Sequence, residues 1–309
     1  MRFAFVGGTY RGFELIKELV KHDAKPLAAF ILKEDDHETE IISKDIIGFL
    51  EEQKIKNSCK KKLTKNDYDL LKTLQLDFIF VCGWRTIIDP VINEYLKLGM
   101  FAAHDSLLPA YRGFAPVNWA IINGEKETGV TLFKIDEGEV DSGNIYGQKK
   151  VEILDNDYGW DVYLKITKAT VELYQEFIDK YKNNSLISYE QDEAGATYTC
   201  KRTPQDGKIN WNKPSTEIYN LIRALAFPYP GSFCMYNNSN FYIRKATPGK
   251  NNHKKYIGKV PGRVIAVYEN GVEIMCNEGT ILIEEWEQKE EQVIEVPSVR
   301  IRSITSTLL

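Results

Sequence analysis

RFAFVGGTYRGFELIKELVKH, residues 2–22, is the stretch from which the fold class is read. Residues 2–8 alternate little and are almost wholly apolar, as a strand buried on both faces must be. Two glycines then break the run, and Phe13, Leu15, Ile16 and Leu19 recur at helical spacing. The unit predicted is strand, tight glycine turn, helix. Gly7, Gly8 and Gly12 do not meet the G-x-G-x-x-G spacing of a dinucleotide site, so the glycines are expected to serve the turn. The pattern then repeats. PLAAFILK (26–33) suits a second strand, and SKDIIGFLEEQKI (43–55) a helix with Ser43 as N-cap. LDFIFVCGW (76–84) reads as a strongly apolar strand, PVINEYLKLG (90–99) as a short helix ended by Gly99, and GMFAA as a strand leading to His104.

Strand and helix in alternation predict an α/β fold: a Rossmann-like, mostly parallel sheet with helices on both faces. Ligands of such sheets bind at the carboxyl ends of the strands. That rule places Gly7–Thr9, Gly83–Ile88 and the loop after GVTLFKI (129–135) on one rim. From 157 to 182 the apolar spacing gives one long amphipathic helix. After a polar, loop-rich stretch, STEIYNLIRAL (215–225) is a helix ended by FPYPG. Short alternating runs follow: FCMYN, FYIRKA, GRVIAVYE, GVEIMCN and GTILIEEW. They predict a smaller C-terminal domain, an OB-like β-barrel or a sandwich. The division expected is a catalytic domain over 1–190, a connector over 191–204 and the small β-domain over 205–309.

The 309 residues carry 43% hydrophobic and 27% charged side chains, the balance of a soluble globular protein. A net charge of −4 argues against a dedicated nucleic-acid binder. Five scattered cysteines form no C-x-x-C pair, so neither a disulfide framework nor a metal site is expected. The N-terminus does not read as a signal peptide, no apolar run is long enough to span a bilayer, and a cytoplasmic location is expected.

Chemistry concentrates in HDSLLPAYRGFAP (104–116), which holds one of only four histidines. Imidazole exchanges protons near neutral pH. Downstream, Asp136, Glu137, Glu139 and Asp141 crowd one loop, and a buried carboxylate beside the ring would keep it cationic. A cation there could stabilise an oxyanion. The residues alone thus point to acyl or proton transfer and leave the choice open.

With NWAIINGEKETGVTLFKIDEGEVDSG (118–143) and CKRTPQDGKINWNKPSTEIYNLIRALAFPYPGSF (200–233), this segment resembles the folate-dependent formyltransferases over nearly the whole chain. The resemblance implies formyl transfer from 10-formyltetrahydrofolate to a primary amine, without a metal. It implies His104 as the catalytic imidazole and Asp141 as the carboxylate that raises its pKa. The implied folate contacts are Thr86, Ile87, Ile88, Phe114, Glu137, Gly138, Glu139 and Val140, several through backbone groups. The acceptor is expected to meet Gly8, Thr9, Trp84, Arg85, Tyr111, Arg112, Tyr219, Arg223 and Phe227, with Tyr229 nearby. Relatives suggest a homodimer. One position departs: where family members carry asparagine two residues before the histidine, this chain has Ala102. Loss of such an oxyanion donor typically costs about 10²–10³ in turnover, which admits a catalytically impaired binder as an alternative.

Two acceptor classes compete. Where the tRNA enzymes insert a basic loop, LKEDDHETEIISK (32–44) is acidic and would repel a phosphate backbone, whereas RKATPGKNNHKKYIGK (244–259) is basic and keeps methionyl-tRNA in play. GWRTII and FAPVNWAIINGE look more like the nucleotide-sugar enzymes. The expected partner is therefore a nucleotide-diphospho-amino sugar, rather than nucleic acid or membrane.

Overall fold

The computed structural model describes residues 1–35, 41–136, 138–236 and 239–289. They form two compact units, each discontinuous in sequence. One comprises 1–113, 129–151 and 164–199; the other comprises 114–128, 152–163 and 200 onward. The linear division expected from sequence does not show that 114–128 and 152–163 pack with the C-terminal region, nor that the expected connector joins the first unit as far as Thr199.

The first unit holds β1 (Phe3–Gly7), β2 (Ala28–Leu32), β3 (Lys56–Lys60), β4 (Phe78–Cys82), β5 (Gly99–His104), β6 (Arg112–Gly113), β7 (Glu127–Ile135), β8 (Ile145–Glu152) and β9 (Tyr198–Thr199). Seven of these make one sheet in the order β3-β2-β1-β4-β5-β7-β8, while β6 and β9 pair separately. The strands from β3 to β5 run parallel. The helices are α1 (Thr9–Lys21), α2 (Ser43–Glu52), α3 (Lys65–Thr73), α4 (Pro116–Ile122), α5 (Gly159–Lys182) and α6 (Ser215–Leu225), of which α4 and α6 belong to the second unit. The mostly parallel α/β architecture is as expected.

Strand periodicity sorts the core into two layers. Ala4, Val6, Ile79, Val81 and Met100 join one cluster with Leu71 of α3 and Ile92. The opposite side chains are aromatic: Phe78, Phe80 and Phe101 meet Tyr174 and Phe177 of α5, mostly edge to face, at centroid distances of 4.6–5.3 Å. Each such ring contributes about 1.5–3 kcal/mol by burial, so this layer fixes the floor of β4 and β5.

Three details differ from expectation. Ser43 begins α2 but does not cap it: Ile42 is the N-cap, and Glu34 accepts from both the Ser43 N–H (2.7 Å) and its hydroxyl (2.6 Å). A carboxylate thus meets the positive end of the helix. The 90–99 helix is only a 3-10 turn over Pro90–Tyr95, because Leu96 turns extended. Most consequential for the site, β7 runs antiparallel to β5, pairing Thr131 with His104 and Ile135 with Met100. Its carboxyl end therefore lies beside the amino end of β5, off the expected rim, and the following loop must fold back.

In the second unit, β10 (Ser232–Tyr236), β11 (Ser239–Pro248), β12 (Val264–Tyr268), β13 (Gly271–Met275) and β14 (Thr280–Lys289) form an antiparallel sheet in the order β10-β11-β14-β13-β12. Ile218 and Ile222 of α6 share its core with Trp211, Phe241 and Ile281. Asn118 of α4 donates to the Ala224 carbonyl at 2.7 Å. Buried Arg223 donates to the carbonyls of Leu154 (3.1 Å) and Asp157 (2.9 Å). These bonds tie 114–128 and 152–163 to α6.

Candidate active site

His104 ends β5 and is only 8% exposed. Its Nε2 lies 2.8 Å from the Tyr111 carbonyl oxygen. A carbonyl only accepts, so this nitrogen carries a hydrogen. Its Nδ1 lies 3.4 Å from Asp141 Oδ2. Both ring nitrogens thus face oxygens. Asp141 Oδ2 also accepts from the Gly113 N–H at 2.9 Å. Asp141 itself sits at φ +58°, a left-handed conformation that a non-glycine residue adopts at a cost and only under constraint.

The turn after His104 is rigidly bonded. The Thr131 hydroxyl donates to the Ser106 carbonyl (2.6 Å) and accepts from the Leu108 N–H (3.0 Å) and from Gln148 (2.9 Å). The Ser106 hydroxyl donates to the Ala110 carbonyl at 2.6 Å. Asp105, beside the histidine, is ion-paired with Arg11 of α1. Thr131 is wholly buried, so its hydroxyl needs these partners.

A strap that sequence reading missed lies against this turn. β9 pairs parallel with β6, Arg112 with Tyr198 and Gly113 with Thr199. The Tyr111 N–H donates to the Thr197 hydroxyl (2.8 Å), the Arg112 N–H to the Thr197 carbonyl (2.8 Å), and the Thr199 hydroxyl to the Arg112 carbonyl (3.0 Å). Arg112 is fully buried. Its guanidinium donates to Gln191 Oε1 through Nε (3.1 Å) and Nη2 (2.7 Å), to both Glu193 oxygens (2.9 and 2.6 Å) and to the Tyr198 hydroxyl (3.3 Å). These bonds match the five donors a guanidinium has. Hydrogen bonding to Glu193 raises the Arg112 pKa, and Arg112 in turn holds the Glu193 carboxyl below its ordinary value. Arg112, expected to meet the acceptor, is thus engaged within the protein. No composition signal marks the strap; Gln191, Glu193 and Tyr198 sit in a stretch that reads as polar loop.

The other expected site residues divide between the units. In the first, Gly8 and Thr9 form the β1–α1 turn, where the Gly8 N–H donates to the Cys82 carbonyl at 3.0 Å. A Cβ on Gly7 would stand 2.2 Å from that carbonyl oxygen, which confirms the turn reading of these glycines. After β4, Arg85 and Thr86 are exposed, Ile87 is 95% exposed, and Ile88 is buried in the core, leaving only its backbone for a ligand. Trp84 packs against the same core, and Arg85 pairs with Asp35 at 3.5 Å. Gly138, Glu139 and Val140 are exposed beside Asp141. Glu137 lies outside the described residues. Phe114, Tyr219, Arg223 and Phe227 belong to the second unit. Phe114 and Phe227 are exposed there, Tyr219 is half-buried, and burial lowers the pKa of Arg223. That unit also has a pocket of about 240 Å³ lined by Asn118, Arg202, Leu225 and Tyr229 among others. The Arg202 guanidinium lies 4.8 Å from the Trp119 ring centroid, a cation–π distance.

Ala102 shares its face of β5 with His104, between Val81 and Phe133 on the neighbouring strands. Its methyl group offers no hydrogen bond. Among the described residues, no cluster of side chains could hold a metal ion, and no helix is long and apolar enough to cross a membrane.

What this arrangement offers is a buried imidazole, a carboxylate held against it, and exposed loops on which a ligand could rest. The family models for the formyl transferase domain and the formyl transferase C-terminal domain match residues 1–178 and 201–299, and the chain belongs to this formyltransferase family. It is similar to WlaRD, a sugar 3N-formyl transferase crystallised with dTDP and 5-N-formyl-THF: 25% identity, 92% of this chain and 97% of that one, TM-score 0.67. It is equally similar to an N-formyltransferase from Helicobacter canadensis crystallised with folinic acid and dTDP-3-aminofucose: 25% identity, 91% and 98% coverage, TM-score 0.67. The methionyl-tRNA formyltransferase from Clostridium thermocellum shares the fold at 19% identity, with 89% and 99% coverage and a TM-score of 0.57. The protein is a formyltransferase.

Proposed function

We propose that the protein moves the formyl group of 10-formyltetrahydrofolate to the amino group of a nucleotide-linked deoxyamino sugar. The acceptor reading is carried by the likeness, along nearly the full length of both chains, to the two sugar formyltransferases above. Catalysis is assigned to residues 1–190, with His104 and Asp141 at its centre. The amine nitrogen attacks the formyl carbon, and the carbonyl oxygen takes the negative charge. His104 Nε2 exchanges the Tyr111 carbonyl for that oxygen and donates a hydrogen bond or a proton to it, while Asp141 balances the charge of the ring. The amine loses a proton, the bond from carbon to the folate nitrogen breaks, and that nitrogen leaves protonated. Holding both reactants supplies much of the rate. The folate is assigned to exposed Thr86 and Ile87 with the backbone of Ile88, and to exposed Gly138–Val140. Gly8, Thr9, Trp84, Arg85 and Tyr111 are assigned to the acceptor. Five free thiols accord with a reducing, cytoplasmic location.

Mass spectrometry of a panel of nucleotide amino sugars incubated with the enzyme and 10-formyltetrahydrofolate tests this: one formyl group is gained by a sugar. Formylation of methionyl-tRNA with no sugar product refutes it. Ala102 favours one other reading, a binder without turnover. Calorimetric binding of folate and sugar nucleotide with no product from any acceptor would establish that reading instead.

A further inference from the structure

The carboxylate of Asp141 is held by its neighbours, but its place depends on a residue fifty positions away. Gln191 Nε2 donates to the Asp141 carbonyl at 2.7 Å and to the Gly143 carbonyl at 2.8 Å. Its Oε1 accepts from Arg112 Nε at 3.1 Å and Nη2 at 2.7 Å. Both donors and both lone pairs of the amide are therefore occupied. The amide also has one admissible orientation: flipped, its NH₂ would face a guanidinium and its oxygen two carbonyls.

The geometry points to Gln191 as a positioning residue that sets Asp141 against His104, with Arg112 as the post that holds it. Arg112 is flanked by the two residues whose backbones touch the pair: the Tyr111 carbonyl meets His104 Nε2, and the Gly113 N–H meets Asp141 Oδ2. One side-chain amide and one guanidinium thus connect the loop bearing the carboxylate with the turn against which the imidazole rests. The loop needs such an anchor. Its residues 138–140 are exposed, and Asp141 is held at positive φ. Without the two bonds to Gln191 the backbone at 141 would relax, and the carboxylate with it. Gln191 touches no reacting atom; it acts through Asp141. The catalytic consequence rests on the formyl-transfer reading of the pair, whereas the positioning itself does not.

The test is Gln191→Glu, which keeps the size and gives Arg112 a charged partner while replacing the NH₂ by an oxygen that repels both carbonyls. Gln191→Ala serves as a second variant if the first folds poorly. Two readouts are taken. Imidazole nitrogen and proton NMR signals are assigned to His104 by their loss in His104→Gln, and kcat and KM are measured on the accepted amine. Expected are a shifted His104 ring signal, kcat lower by about 10–100-fold, as small misplacements cost, and KM for the folate within about twofold. A His104 signal and kcat both at wild-type values overturn the inference. So does a loss of kcat matched by loss of folded protein in thermal unfolding, with the ring signal of the folded fraction unmoved. If wild type formylates no sugar, the functional reading fails, and the NMR shift still decides the positioning.

Discussion

Asp141→Asn isolates the charge of the pair, since asparagine keeps the shape and can still accept from the Gly113 N–H. In the proposed transition state the imidazole is cationic and the carboxylate lies 3.4 Å from it. Two unit charges at that distance attract by about 5 kcal/mol at an effective dielectric constant near 20, and by about 1 kcal/mol in bulk water. The side chains are 9% and 16% exposed, which places the pair nearer the first limit. An intermediate value of about 3 kcal/mol, at ~1.4 kcal/mol per tenfold, predicts a kcat roughly 150-fold below wild type. The interaction gained is with the charged ring, so KM for the folate should hardly move. The assay follows formylated sugar by mass at saturating folate and amine, with thermal unfolding as a control for folding. A kcat within about threefold of wild type, from a variant as stable as the parent, would show that no charge on the ring is being balanced in the rate-limiting step. The electrostatic account of the pair would then be wrong even if the enzyme proved to be a sugar formyltransferase.

Ala102→Asn places an amide on the same strand face as the histidine, where the resemblance leads one to expect it. If the developing oxyanion lacks that donor, turnover should rise by about tenfold or more; an unchanged or lower kcat would mean that another group already fills the role. The cysteines give a test independent of substrate. Burial pushes the thiols of Cys82, Cys234 and Cys276 up to about 12 from an ordinary 9.0, whereas Cys59 and Cys200 are exposed. A thiol reagent near neutral pH should label the exposed pair quickly and the buried three only on unfolding. Because the folded pKa values lie above the unfolded ones, the stability from protonated buried thiols is complete below about 9 and is lost as pH rises towards 12. Denaturant midpoints measured across that window should fall, and a flat profile would contradict the burial.

Strongly periodic segments were legible from sequence. The βα unit at 2–22, the aromatic strand at 78–82, the long helix and the helix at 215–225 all stand where their apolar spacing puts them. Segments whose structure comes from polar contacts were not. Lys56–Lys60 is a sheet-edge strand spelled KNSCK, without an apolar face to announce it. α3 begins at a Thr64–Asp67 capping box that is easily passed over in a lysine-rich stretch. The glycines at 7 and 8 were read correctly because a close backbone approach leaves its own mark in residue type. Arg112 carried a motif residue's prominence, but only the structure shows its guanidinium turned inward onto Glu193 and Gln191.

The antiparallel course of β7 explains why the motif residues are not sufficient for the site. Were β7 parallel to β5, a loop leaving its carboxyl end would begin beside His104. Instead Ile135 pairs with Met100, four residues short of the histidine, or about 14 Å along the strand. Asp141 lies six positions beyond Ile135, and at ~3.4 Å per step the chain can cover that distance. Reach alone does not fix a carboxylate at the end of an exposed loop, because ordering each residue costs about 1–2 kcal/mol of backbone entropy. The bonds that offset this cost come from 191–199, a segment distant in sequence and nondescript in composition, through Gln191 and through the pairing of β9 with β6. The histidine and the aspartate can therefore be recognised in the chain as a motif, while the 3.4 Å between them is a property of the strap.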